Sequence, residues 1–286
     1  MTISAQMPEQ SRLVFALQVL LRQLLTNDIE TPRPCKTACL LLLSGLSANS
    51  IPTELCNRIH SEQHEDGGWV GPDDTMWALL FLRLCGRSSD APFKNGLQYL
   101  EAIKSNKYGW GRSERDIPRI PITGRILYFL PELCTLQHLS GLLSLWEKEE
   151  YSLTYKAAFT LAACSRSGIV PADSHLVQSA VKWLISQQND DGGFAPWKGH
   201  PVGSDIYCTS IAMFGLASYS CNVPEQTFRN SISWMSRTQL GNGLWPYHQI
   251  EDGASWGLYA TVLLTTLLTA NDTYPAKLST SRLSNK

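Results

Sequence analysis

A seven-residue motif recurs along this chain and sets its period. It reads Gln63-His64-Glu65-Asp66-Gly67-Gly68-Trp69, then Gln188-Asn189-Asp190-Asp191-Gly192-Gly193-Phe194, then Gln239-Leu240-Gly241-Asn242-Gly243-Leu244-Trp245. A fainter copy ends at Trp110, and Tyr151 falls in register between the second and third aromatic ends. The aromatic positions 69, 110, 151, 194 and 245 are separated by 41, 41, 43 and 51 residues. A repeat of that length marks stacked supersecondary units, each unable to bury its apolar face alone.

Each unit has a direct physical reading. The residues before the Gln are amphipathic, as in Val177 to Ile185, so a helix ends near the Gln. The Gly pair lets the chain leave that helix with positive φ. The aromatic ring can then cover the helix end while the Gln amide binds backbone groups. A second helix, apolar nearly all round, follows in Thr75–Leu82, Thr209–Leu216 and Thr261–Leu268. Alternation of the two kinds predicts an outer and an inner layer.

Taken in order, the periodicity predicts outer helices at 9–26, 51–62, 92–105, 136–148, 173–187 and 224–238. Inner helices are expected at 35–45, 73–85, 122–134, 152–166, 204–220 and 254–270, with no strand. Six hairpins with strongly apolar inner helices favour closure over an open solenoid, which needs polar capping repeats. The expected fold is all-α, an α6/α6 toroid, in one domain over residues 1–270. Residues 271–286 are polar and aperiodic and read as a disordered tail.

Composition excludes several function classes. Lys plus Arg number 24 against 25 Asp plus Glu, so no net field attracts nucleic acid or an anionic surface. Uninterrupted apolar runs such as Ala38 to Leu43 are far short of a membrane span, although a peripheral membrane contact stays open. The N-terminus lacks the basic and apolar regions of a secretory signal. Eight cysteines without a Cys-x-x-Cys pair read as free thiols of a cytoplasmic protein. Nothing in the sequence fixes an oligomeric state.

The Gln-x-x-Asp-Gly-Gly-Trp pattern, followed by an apolar Thr-x-x-Ala-Leu helix, resembles the terpenoid cyclase and protein prenyltransferase toroids. It is most similar to the squalene-hopene cyclase group, over about residues 9–270, as one barrel where hopene cyclases have two. The motif speaks for the fold and says little about chemistry. Its Gln and Trp residues read first as braces between helices.

In such a ring the inner helices run parallel, so their first turns meet at one end of the lumen. Those turns carry Asp73, Asp74, Asp205, Tyr207, Cys208, Trp256 and Tyr259. The preceding loops add Trp197, His200, Trp245, Tyr247 and His248. Aromatic faces stabilise a cation, apolar walls exclude water, and a carboxylic acid can donate a proton. An apolar small molecule is the implied partner, with no cofactor and no metal.

Gly71-Pro72-Asp73-Asp74-Thr75-Met76-Trp77-Ala78 is similar to the Asp-x-Asp-Asp-Thr-Ala motif of proton-initiated, class II cyclases. The resemblance implies that Asp73, at the middle-Asp position, is the general acid, with Asp74 beside it. His200 and His248, in aromatic-rich loops before inner helices, read either as orienting group or proton acceptor or as hydrogen-bonded structural residues. Gly71 stands where the first Asp belongs, so the carboxylate set is incomplete. The competing reading makes Asp73 a first-turn carboxylate on a helix dipole, and Asp205 a helix cap. Protein prenyltransferases hold zinc through Asp-x-Cys and a later His; here Cys208 aligns, but Ile206 and Tyr259 stand at the other ligand positions, and one thiolate cannot hold zinc. Arg112, Arg115 and Arg119 follow Trp110 and suit a phosphate or carboxylate group. No Asp-Asp-x-x-Asp magnesium cluster occurs.

The leading expectation is a small class II-like terpene cyclase that cyclises or rearranges an apolar terpenoid or polyene. A lyase, hydrolase or pericyclase using the same lumen is the enzymatic alternative. A non-catalytic toroid binding an apolar ligand or a protein is the alternative of another class.

Overall fold

The computed structural model describes residues 9–26, 33–105, 109–149 and 153–273. Tyr151 and the tail beyond residue 273 lie outside the described residues. Within them are twelve α-helices and no strand. In chain order these are Glu9–Leu25 (α1), Arg33–Leu43 (α2), Thr53–Ser61 (α3), Pro72–Leu84 (α4), Ala91–Ile103 (α5) and Ile120–Phe129 (α6). The second half continues with Leu136–Lys148 (α7), Thr154–Arg166 (α8), His175–Ser186 (α9), Ile206–Ala217 (α10), Glu225–Thr238 (α11) and Ile250–Thr273 (α12).

The even-numbered helices form the inner ring. Each packs on the next, from α2 through α12, and α12 packs back on α2. The odd-numbered helices lie outside, α1 resting on both α2 and α12. Burial separates the layers as the sequence pattern requires. Every residue of α10 from Cys208 to Leu216 is buried, whereas α11 buries only one stripe, Thr227, Phe228, Ser231, Trp234 and Met235.

The recurring motif joins the layers. Trp69 donates its ring N–H to the Ile59 carbonyl at 2.8 Å, and Trp245 does the same to Met235 at 2.8 Å. The fainter copy behaves identically, Trp110 donating to Leu100 at 2.7 Å. Gln63 donates to the Gly67 and Pro92 carbonyls at 2.7 and 2.8 Å, tying the turn to α5. The aromatic residue's backbone N–H donates to a threonine hydroxyl of the following inner helix, Thr75, Thr123 or Thr209.

The Gly67 turn shows why glycine is needed there. Its φ is +91°, and a Cβ would sit 2.6 Å from the Asn95 carbonyl oxygen of α5. The last motif docks in the same way on α1, where a Cβ at Gly243 would lie 2.9 Å from the Ala16 nitrogen. That contact joins the end of the repeat to its beginning and closes the ring.

Two helices differ from the sequence expectation. The inner helix expected over 122–134 ends at Phe129, and Pro131–Leu133 forms a separate 3₁₀ turn. Proline pushes its preceding residue out of the helical region and removes a donor. Conversely, α12 runs four residues earlier and three later than expected. Its Asp252–Ala270 stretch is long and apolar enough to cross a membrane, but more than half of it is buried in the ring.

Aromatic rings fill the centre of the ring. Trp77, Phe129, Phe159, Phe214 and Trp256 come from five different inner helices and meet at centroid distances of 5.6–6.3 Å. Tilted and edge-to-face pairs of this kind add to the area they bury. The lumen is therefore solid at mid-height, and open space lies towards the first turns of the inner helices.

Candidate active site

A cavity of about 1130 Å³ opens at that end. Parallel inner helices bring their N-terminal turns together there, and the loops entering α6, α8, α10 and α12 form its walls. Asp73, Asp74, Asp205, Tyr207 and Cys208 line it, as do His200, Trp245, Tyr247 and His248. Nine of the twelve residues expected at the inner first turns and their preceding loops thus share one cavity, and of the three arginines after Trp110, Arg112 and Arg119 line it and Arg115 does not.

The other three do not line it. Trp256 and Tyr259 lie in the aromatic centre below, Trp256 fully buried between Trp77 and Phe214. They sit a turn too deep on α12 to reach the open space. Trp197 stands outside the cavity lining, 45% exposed, its ring edge-on to His200 at 4.2 Å.

The cavity is far more charged than an apolar lumen. Arg112, Arg119, Arg125, Glu149, Lys156 and Asp252 join the aspartates on its walls. Most of these charges are paired. Lys156 meets Glu149, and Lys36 of α2 meets Asp252 of α12 at 2.5 Å. Arg119 is held by Asp116 at 2.6 Å, and this hydrogen bond keeps the Asp116 carboxyl well below the usual range.

Arg125 went unnoticed in the sequence and is the central charge of the site. Its side chain is 8% exposed, and Nη2 donates to Asp73 Oδ1 at 2.7 Å. The guanidinium also lies 5.1 Å from the Phe159 ring centroid. Burial opposes its charge, and Asp73, together with Tyr207 and Asp252, more than offsets that. The available signal was a lone arginine inside the apolar run Ile120–Phe129, because a buried arginine requires a partner. Lys36, in the apolar run of α2, carried the same signal.

Asp73 and Asp74 are neighbours in different electrostatic states. Asp73 faces Arg125, which donates to it. Asp74 is pushed up to about 6, first by burial and then by the charge of Asp73, against weaker pulls from Lys36 and Arg125. Gly71 caps α4 with an extended backbone, and a Cβ there would stand 4.0 Å from Asp74 Oδ2. Asp205 caps α10, accepting from the Cys208 amide at 2.7 Å, and is pushed up chiefly by burial. It fills the capping role and lines the cavity at once.

Across the ring from α4, aromatic side chains form one wall. Tyr207 stacks on Tyr247 with centroids 5.7 Å apart and planes 13° apart, and Tyr155 meets Tyr207 edge-on at 6.4 Å. Tyr247 in turn covers His248 at 4.2 Å. Burial pushes the hydroxyls of Tyr155, Tyr207 and Tyr247 up, so all three stay neutral at pH 7. A neutral ring wall opposite a protonated carboxyl can accept a positive charge formed between them.

The family description prenyltransferase alpha-alpha toroid domain matches residues 38–244 and 134–282. The chain belongs to this toroid family. Over 101 residues this toroid is 31% identical to protostadienol synthase A of Arthroderma gypseum, which is 32% of this chain and 14% of that protein. Over 118 residues it is 28% identical to lanosterol synthase of Pneumocystis carinii, 38% of this chain and 16% of the relative. The matched stretches are thus a small part of either relative's length. Among solved structures, the toroid resembles a variant of the type II terpene cyclase MstE from Scytonema in complex with geranylgeranyl dihydroxybenzoate. That likeness has a TM-score of 0.73 at 15% identity and covers 90% of this chain and 98% of the other. At that identity the resemblance establishes a shared fold, and the chemistry must be argued from the site.

Proposed function

We propose that this toroid is a small type II terpene cyclase, which protonates a polyprenyl chain in the cavity and guides its cyclisation. The observation that carries the reading is the divided aspartate pair. Asp73 accepts a hydrogen bond from Arg125, and Asp74 beside it, pushed up to about 6 chiefly by burial, is the carboxyl that retains a proton. The general acid is therefore assigned to Asp74, with Asp73 and Arg125 as positioning groups. This departs from the assignment to Asp73 that the motif alone implies.

In the proposed reaction the Asp74 proton forms a C–H bond to one alkene carbon, leaving the other carbon cationic. Further alkenes attack in turn, each forming a C–C bond and passing the charge along the chain. The Tyr155, Tyr207 and Tyr247 faces lie opposite the acid to stabilise that charge. Loss of a proton to His248, His200 or water ends the cascade, and solvent returns a proton to Asp74. Substrate and product are isomers, so the reaction draws on no cofactor.

The charged wall near Arg112 and Arg119 suits a polar or anionic head on the chain. MstE is seen with geranylgeranyl dihydroxybenzoate, a prenyl chain on such a head. The same wall supports a second reading, hydrolysis or elimination at a polar group. Incubation with geranylgeranyl dihydroxybenzoate, geranylgeranyl diphosphate and squalene, followed by mass spectrometry, separates the two. Cyclisation gives a product of unchanged mass with fewer alkenes by NMR, absent with Asp74→Asn. A lighter product from cleavage at the head group with the alkenes of the chain retained, or no product with any of the three, counts against the cyclase.

A further inference from the structure

A second cavity, of about 410 Å³, lies between α2, α3 and α4. Cys35, Leu55, Ile59, Trp69, Val70 and Ala78 give it apolar walls, and Arg58, Glu62 and His64 line its end at the close of α3, where Arg58 pairs with Glu62 at 2.9 Å. Asp74 lines this cavity as well as the large one. Asp74 and Ala78 lie four residues apart, on one face of α4, and so share a side of the helix. The residue assigned as proton donor therefore stands between two chambers, one charged and aromatic, the other walled beside Asp74 by apolar side chains of α2, α3 and α4.

We infer that the cavity between α2, α3 and α4 is a binding site for the hydrocarbon end of the substrate. This rests on the proton-initiated reading, in which the first alkene to react must touch Asp74. A branched isoprenoid terminus beside Asp74 has two places to lie. Against the charged wall it would strip water from Arg112, Lys156 and Glu149 without replacing their hydrogen bonds, which is unfavourable. Between Leu55, Ile59 and Ala78 it loses only apolar surface to water, which is favourable in proportion to area. The terminus is thus drawn past Asp74 into the side chamber. The polar head remains in the large cavity, where its charge meets Arg112 or Arg119. The chain crosses Asp74 in one direction only, and the size of the side chamber limits how much hydrocarbon extends beyond the reacting alkene.

The test needs no turnover. A geranylgeranyl-length carboxylate carrying a diazirine at its hydrocarbon end is bound to the full-length protein and photolysed, and the adducts are mapped by tandem mass spectrometry. Adducts on Leu55, Ile59 or Ala78 are expected. Leu55→Trp and Ala78→Phe, which fill the chamber from different helices, should each weaken binding of this probe about tenfold or more while leaving a ten-carbon analogue unaffected. Adducts confined to Tyr155, Tyr207 or Tyr247 would overturn the placement but leave the proton-initiated reading standing. Absence of saturable binding to the wild-type protein would overturn both.

Discussion

Arg125 on α6 and Asp73 on α4 meet at 2.7 Å although 52 residues separate them in sequence. This contact crosses from one inner helix to the next at the rim of the aromatic centre. It ties Asp73 to α6 and brings the Arg125 guanidinium to the first turn of α4. Asp74, beside it, is pushed up chiefly by its own burial and then by the Asp73 charge, against the pull of Arg125.

Removing that arginine leaves a carboxylate without its partner. Arg125→Met is expected to lower stability at pH 8 by about 1–3 kcal/mol, less than a fully buried pair would lose because Asp73 is 34% exposed. The double variant Asp73→Asn/Arg125→Met should recover part of this loss. Urea denaturation of the two variants and the wild type measures it. Equal stability of Arg125→Met and wild type would mean that the pair contributes nothing.

The raised Asp74 sets a pH dependence whose sign is definite. Its folded value, about 6, lies above the ordinary 3.8, so the folded state prefers the protonated form. The stability this contributes is fully present below about pH 4 and is lost as pH rises through about 6. Asp74→Asn should therefore match wild type near pH 4 and exceed it by roughly 1–2 kcal/mol at pH 8, after allowance for solvent screening. Denaturation at the two pH values checks this. A variant less stable than wild type at pH 8 would contradict the assigned direction.

Activity should follow the same group. If Asp74 supplies the proton, kcat/KM falls about tenfold per pH unit above roughly pH 6, because only the protonated fraction reacts. A pH–rate profile of the cyclisation tests this, and a rate constant from pH 6 to 8 would remove Asp74 from the protonation step.

The motif tryptophans are braces, and Trp69 lies clear of the large cavity. Trp69→Ala should cost about 3–5 kcal/mol, since the ring is 5% exposed. Trp69→Phe keeps most of the packing and loses the hydrogen bond to Ile59, which costs about 1 kcal/mol. Thermal melts separate these values, and an unchanged melting temperature for Trp69→Ala would rule out the bracing role.

Gly67 offers a backbone test of the same joint. With φ at +91° and the Asn95 carbonyl 2.6 Å from a Cβ, Gly67→Ala must both strain its backbone and push α5 away. A loss of about 2 kcal/mol or more is expected from strain and clash together. Gly45, with φ +97° and nothing near its Cβ, provides the control with strain alone.

The repeat of Gln, Gly and aromatic residues by itself determined twelve alternating helices in two layers. Helix type follows from which positions along a turn are apolar, and glycine and proline mark the ends, all local properties. It also determined that Asp73, Asp74, Asp205 and Tyr207 gather at one end, because parallel inner helices must bring their first turns together. Only the tertiary structure decided how deep along each helix the lumen closes. Trp256 and Tyr259 fell in the packed centre rather than on the cavity, since periodicity fixes the face of a helix but not its height against five neighbours. Charge pairing was likewise beyond the sequence. Arg125 and Lys36 each looked like a lone charge in an apolar run, and their partners are set by which helices lie side by side. The state of a carboxyl depends on burial and on charges a few ångströms away, and those distances exist only once the ring has closed.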